Sequence, residues 1–301
     1  MNPASERTRR ARQRDAAAAR HRGFDAGENF SSGFAALAQL ALQGCQVSAR
    51  AIDLLSGRVL FSVDDHIVLP TGGVGKVLLL LEVAARMSDG TVSRYDLLDR
   101  TDSDLIGGSG VWQHLHVPSL PLADLAAIVG SSSDNVATNL LLARVGLDAV
   151  RQRAESLGLT KSALLDQVRE RRGPDDAPQL SVGSASELAW LFARIARGEA
   201  VDAATSYRVA DWLSLGTDLT LVASAFGLDP LAHTRSDHSL TLFNQTGTDA
   251  GIRCEVGVLR GPRAGVAYAV TVVFKDRDLQ ARLEALNAMR TVGTDLLEYV
   301  H

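Results

Sequence analysis

The chain has 301 residues, 46% hydrophobic and 22% charged, with a formal net charge of −4. That balance fits a globular chain long enough for one large or two closely packed domains. It excludes a strong electrostatic pull toward nucleic acid or acidic lipid. No apolar run is long enough to cross a membrane, and Cys45 and Cys254 match no metal-ligand spacing and read as free thiols in or beside strands.

The N-terminus carries Arg7, Arg9, Arg10, Arg12, Arg14, Arg20 and Arg22 around an alanine run, Ala16 to Ala19. A secretory leader needs an apolar core of roughly 7–15 residues behind its basic stretch, and four alanines do not supply one. Residues 1–28 therefore read as a disordered basic tail, and the default expectation is a cytoplasmic protein.

Phe34, Leu37, Leu40 and Ala41 fall at helical spacing, with Ser31 or Ser32 as the expected cap. Val47 to Leu54 and Arg58 to Val63 flank Ser56-Gly57 as a β-hairpin. Leu69-Pro70-Thr71-Gly72-Gly73-Val74-Gly75-Lys76 then leads into Val77-Leu78-Leu79-Leu80-Leu81. This predicts a helix from about Val74 to Met87, stopped by Ser88-Asp89-Gly90. A lysine in the first turn of so apolar a helix is costly unless it pairs with something.

Residues 96–119 read as irregular. Helical periodicity returns over Pro121–Val129, Val136–Val145 and Ala149–Leu157, with Gly130 to Asn135 as an interruption. A charged loop covers 161–183. Ser184-Ala185-Ser186-Glu187 is a capping-box pattern opening a helix over Leu188–Ala196, and Tyr207–Leu213 reads as another helix. The last third changes to strands at Leu240–Asn244, Ile252–Leu259 and Val266–Phe274. An amphipathic helix follows, marked by Leu279, Leu283, Leu286, Met289, Val292, Leu296 and Val300.

This order predicts an α+β fold: an antiparallel sheet flanked by N- and C-terminal helices, plus an all-helical domain. The expected sheet domain comprises residues 29–70 and 215–301, the helical domain 71–214, with a cleft between them. No cofactor or metal is implied, because His66, His114, His116, His233 and His238 share no zinc spacing. His114 and His116 read as a loop near the cleft entrance, and Trp112 as a packing residue.

Three short motifs lie in order along this framework: a segment ending at Lys76 at a helix start, Ser133-Asp134-Asn135 between two helices, and Gln245-Thr246-Gly247 on a strand. Each alone is ordinary turn or cap chemistry. Together they resemble the class A serine β-lactamase and penicillin-binding-protein superfamily, whose signature is Ser-x-x-Lys, Ser-Asp-Asn and Lys-Thr-Gly. The resemblance spans roughly residues 31–300.

It implies that Lys76 moves the nucleophile's proton and that Ser133 shuttles a proton to the leaving nitrogen. Asn135 contacts the substrate side chain and steadies the lysine. Substrate lies along Thr246 and Gly247, and Thr248 or Asp249 reaches its carboxylate. Asp134 reads instead as an N-cap or a strut between helices. The implied partner is a small-molecule amide, a β-lactam or a peptide-like ligand, with no nucleic acid and no transmembrane segment.

The departures are specific. The position of the nucleophilic serine holds Gly73, which has no side chain to acylate. Gln245 replaces the lysine meant for the substrate carboxylate. No glutamate stands in frame to activate water, and Asp166 and Glu170 are the nearby candidates. Three readings of function follow: a β-lactamase-like protein that binds a β-lactam or related carboxylated amide with impaired or absent covalent hydrolysis, a repurposed enzyme using Lys76 and Ser133 without acylation, or an inactivated form of an active serine β-lactamase or esterase. Gly72-Gly73-Val74-Gly75-Lys76 also resembles the deviant phosphate loop of ParA-type ATPases. However, Val77 stands where such loops hold Mg²⁺ with Ser or Thr, and the chain lacks alternating strand–helix units.

Overall fold

The computed structural model describes residues 30–234, 238–275 and 279–301; the basic tail expected over 1–28 lies outside the described residues. In chain order the elements are α1 (Ser31–Leu42), β1 (Gln46–Asp53), β2 (Val59–Val63), β3 (Leu69–Pro70), a 3-10 turn (Gly72–Gly75), α2 (Lys76–Ser88), β4 (Leu97–Asp99), β5 (Ser119–Pro121), α3 (Leu122–Ser132), α4 (Asn135–Val145) and α5 (Leu147–Ser156). Then come β6 (Ala163–Leu164), β7 (Ser181–Gly183), α6 (Ala185–Arg197), α7 (Ala203–Leu213), β8 (Thr241–Asp249), β9 (Ile252–Arg260), β10 (Gly265–Val273) and α8 (Leu279–Val300).

Five strands make one antiparallel sheet in the order β2-β1-β10-β9-β8. The inner strands β9 and β10 are buried almost end to end, because both faces of the sheet are covered. On one face the terminal helices α1 and α8 pack Leu37, Leu40, Met289, Val292 and Leu296 against Val270 and Val272. They are tied where the Gly33 N–H donates to Asp295 Oδ2 at 2.7 Å. On the other face Val256, Val258, Ala267 and Ala269 join Phe192 of α6 in the core of the helical body.

At the centre of that body is α2, whose first ten residues, Lys76 to Ala85, are all buried. Each fully buried Leu or Val contributes about 1.5–3 kcal/mol relative to exposure, which holds the polar residues at its ends in place. Its buried Glu82 is neutralised by Arg86 at 2.7 Å and Arg153 at 2.9 Å.

Several local expectations change. Neither Ser31 nor Ser32 caps α1: both lie inside it, Phe30 is the N-cap, and no side-chain cap bond forms. The irregular stretch 96–119 contains β4, which pairs with β5. The expected helix start at Val74 is a 3-10 turn, with the α-helix beginning at Lys76. Only half of the capping box at Ser184 forms. Ser184 Oγ accepts from the Glu187 N–H, but the Glu187 carboxylate instead accepts from the backbone of Thr160 and Lys161. The strand expected to end at Asn244 continues to Asp249, five residues further, and this extension shapes the cleft.

Candidate functional site

The 3-10 turn is fastened from behind by Ser181 of β7. The Ser181 hydroxyl donates to the Gly72 carbonyl at 2.7 Å, so the 2.7 Å contact with Thr71 has the Thr71 hydroxyl donating. The Gly75 N–H donates to Ser181 Oγ at 3.2 Å. From the front the outer strand β8 presses on the turn so closely that a Cβ at Gly247 would lie 1.9 Å from the Thr71 carbonyl oxygen. Only glycine permits that approach.

Gly73 faces the cleft from this turn. Its φ is not in the left-handed region, so the backbone there accepts any residue. A Cβ built on it would point at Ser133 Oγ, 2.8 Å away, with the Thr246 carbonyl at 3.2 Å. The first, second and third motifs thus meet at one point, which holds no side chain.

Lys76 follows one helical step on, 2% exposed. Its Nζ donates to the Ser133 carbonyl at 2.6 Å and to Asn135 Oδ1 at 2.8 Å. Burial pushes its pKa down to about 7, against the opposing pull of the Asp134 carboxylate. A neutral amine has two N–H groups and one lone pair. The two carbonyl acceptors accommodate both N–H groups and leave the lone pair for a proton.

Ser133 caps the C-terminus of α3 in the left-handed conformation, φ 54 and ψ 38, an uncommon backbone for a residue with a Cβ. The next two residues hold it there. Asp134 caps α4 by accepting from the Ala137 N–H at 2.9 Å, while its other oxygen takes the N–H groups of Val111 and Trp112, each at 2.8 Å. Asp134 is therefore both cap and strut. Asn135 completes the tie, its Nδ2 donating to the Gly107 carbonyl at 2.8 Å.

Gly73, Lys76, Ser133, Asn135, Gln245, Thr246, Thr248 and Asp249 all line one cleft of about 520 Å³. Asp166 and Glu170 do not line it. Burial raises the Asp166 pKa, but hydrogen bonds from Arg169, the Gln167 N–H and Arg172 outweigh this and hold it below the usual carboxylate range. Glu170 accepts from the Gly107 N–H at 3.0 Å. From that loop Val168, Arg169 and Arg172 supply the cleft wall. Trp112 is fully buried, and His114 and His116 are exposed and away from the cleft lining.

The residue that sequence reasoning missed is Asp218. It lines the cleft beside β8, where the Thr246 hydroxyl donates to its Oδ2 at 2.7 Å. Thr220 donates to the other oxygen, through its hydroxyl at 2.6 Å and its N–H at 3.1 Å. In sequence, Gly216-Thr217-Asp218 reads as turn residues between elements, and no spacing marks Asp218 as special. Behind it, Asn244 donates to the Asp218 carbonyl at 3.3 Å and to the fully buried Glu255 at 2.9 Å. Glu255 also accepts from the Tyr268 hydroxyl at 2.7 Å, and burial pushes its pKa up to about 7.

A two-faced antiparallel sheet, a helical body and a cleft at the sheet's outer strand define a β-lactamase/transpeptidase-like protein. The beta-lactamase enzyme family model matches residues 30–300, and the chain belongs to that family. Its fold is similar to a β-lactamase from Sphaerobacter thermophilus, with a TM-score of 0.78, 24% identity and coverage of 90% of this chain and 97% of that one. A β-lactamase from Burkholderia vietnamiensis gives a TM-score of 0.72 at 21% identity, covering 89% of this chain and 96% of the other. The penicillin-binding protein PBP-A, as a mutant in an acyl-enzyme complex with penicillin G, gives 0.71 at 20% identity, covering 89% and 95%. Among curated proteins compared by sequence, none matches this chain. No described helix is long and apolar enough to cross a membrane.

Proposed function

We propose that this chain is a ligand-binding member of its family that takes a β-lactam or related amide into the cleft without forming an acyl-enzyme. The observation that carries the reading is Gly73. Its α-carbon directs a would-be side chain at Ser133 Oγ, 2.8 Å from the Cβ position, and the residue supplies no nucleophile there. Losing the nucleophile from a serine hydrolase costs on the order of 10⁶ in turnover. The lysine and asparagine of the same constellation are intact and hydrogen-bonded, so the cleft keeps its shape.

Intact-protein mass spectrometry after incubation with benzylpenicillin tests this, paired with thermal-shift measurement. The expected result is an unchanged mass and a raised melting temperature. A mass gain equal to the drug overturns the non-acylating reading.

A further inference from the structure

The sheet end of the cleft gathers hydrogen-bond acceptors where the third motif's lysine would place a cation. Gln245 is 3% exposed. Its Nε2 leans on the Thr246 carbonyl at 3.4 Å, which leaves Oε1 as the free end, and that buried oxygen has no hydrogen-bond partner. A buried amide oxygen without a donor costs about 1–3 kcal/mol.

Beside it, the Thr246 hydroxyl proton is committed to Asp218 Oδ2 at 2.7 Å. Toward the cleft the hydroxyl therefore offers lone pairs rather than a proton. Asp218 is the charge behind it, held by Thr246 and Thr220 through hydrogen bonds that do not neutralise it. An incoming carboxylate would face Gln245 Oε1 and the Thr246 lone pairs, with the Asp218 charge behind them. An N–H group would satisfy Gln245 Oε1 and gain the attraction of Asp218.

We infer that the subsite formed by Gln245, Thr246 and Asp218 takes a ligand hydrogen-bond donor, an amide N–H or protonated amine, in place of the carboxylate expected from the family pattern. This rests on the proposed ligand-binding reading and narrows its ligand class. Specificity here comes as much from rejecting the carboxylate as from binding the donor.

Benzylpenicillin and its primary carboxamide differ at one group, an anionic carboxylate against a neutral amide with N–H donors, so isothermal titration of both against the full chain is the test. The carboxamide is expected to bind at least about tenfold more tightly, within what satisfying one buried, orphaned acceptor is worth. In Gln245→Lys, which supplies a cation, the preference is expected to invert. Asp218→Asn is expected to shrink it. Equal affinity of the unaltered protein for the two probes, or tighter binding of the carboxylate, overturns the donor subsite while leaving amide binding intact. Failure of both probes to bind at millimolar concentration overturns the ligand-binding reading and the subsite with it. The wild-type comparison stands even if a variant fails to fold.

Discussion

Lys76 on α2 and Glu255 on β9 are single ionisable groups, each moved to about 7 by burial. Between pH 7 and 10.5 the unfolded chain holds a proton on Lys76 that the folded chain has released, so stability rises with pH across that window. Between pH 4.5 and 7 the folded chain holds a proton on Glu255 that the unfolded chain has lost, so stability falls as pH rises there. Urea unfolding from pH 5 to 10 is expected to show that Lys76→Met removes a rise of a few kcal/mol above pH 7. Glu255→Gln is expected to remove the opposing fall below it. Parallel pH profiles for wild type and both variants refute the assignment.

Gly73 belongs at the same scale. Restoring a serine there supplies a nucleophile but leaves Gln245 in place of the lysine, and it leaves Asp166 and Glu170 outside the cleft lining. The new Cβ also forces Ser133 Oγ to move from 2.8 Å. Turnover of a chromogenic cephalosporin by Gly73→Ser is expected to stay below about 1 s⁻¹, the floor of ordinary enzyme rates. Stopped-flow rates well above that refute the prediction.

Among the elements, β8 is the one on which the site depends most and the one the sequence shortened. Leu240 to Asn244 alternates visibly, but Gln245-Thr246-Gly247-Thr248-Asp249 is polar and carries a glycine, the composition of a turn. It continues as strand because β9 pairs with it through the tight hairpin at Asp249–Ile252 and because Gly247 fits against Thr71, a contact far away in sequence. β4 and β5 were illegible for a related reason, being three residues each with no room for a period. By contrast, the apolar run of α2 and the alternation in β9 and β10 were plain in the residues. Gly247→Ala forces β8 away from the turn, an overpacking cost of about 1–3 kcal/mol. Guanidinium denaturation should show that loss, together with loss of the penicillin-induced thermal shift. A fully stable variant that still binds would mean the strand and turn are not rigidly apposed.

For the whole molecule, the same five-stranded sheet serves two cores, one under α1 and α8 and one under the helical body. Neither core closes without strands that the other also uses. The expected consequence is a single cooperative unfolding transition, with calorimetric and van't Hoff enthalpies in agreement. Two resolved transitions would show that the helical body melts independently. The α+β architecture was readable from the order of elements, because terminal segments of like character enclose a long helical middle. The site was readable only as far as its motifs extended: Gly73, Lys76, Ser133, Asn135 and Thr246 line one cleft, and only the family resemblance, not their spacing, grouped them in the sequence. Asp218 was invisible because it acts through the Thr246 hydroxyl, a contact 28 residues away in sequence.

Gly73 and Ser133 face each other across the cleft with their usual preferences exchanged. The backbone at 73 would suit any amino acid and carries the one with nothing to offer. The backbone at 133 would suit glycine and instead carries a hydroxyl, at a cost of about 1–2 kcal/mol in left-handed strain. Glycine at 133 would relieve that strain and would also remove the hydroxyl that faces position 73.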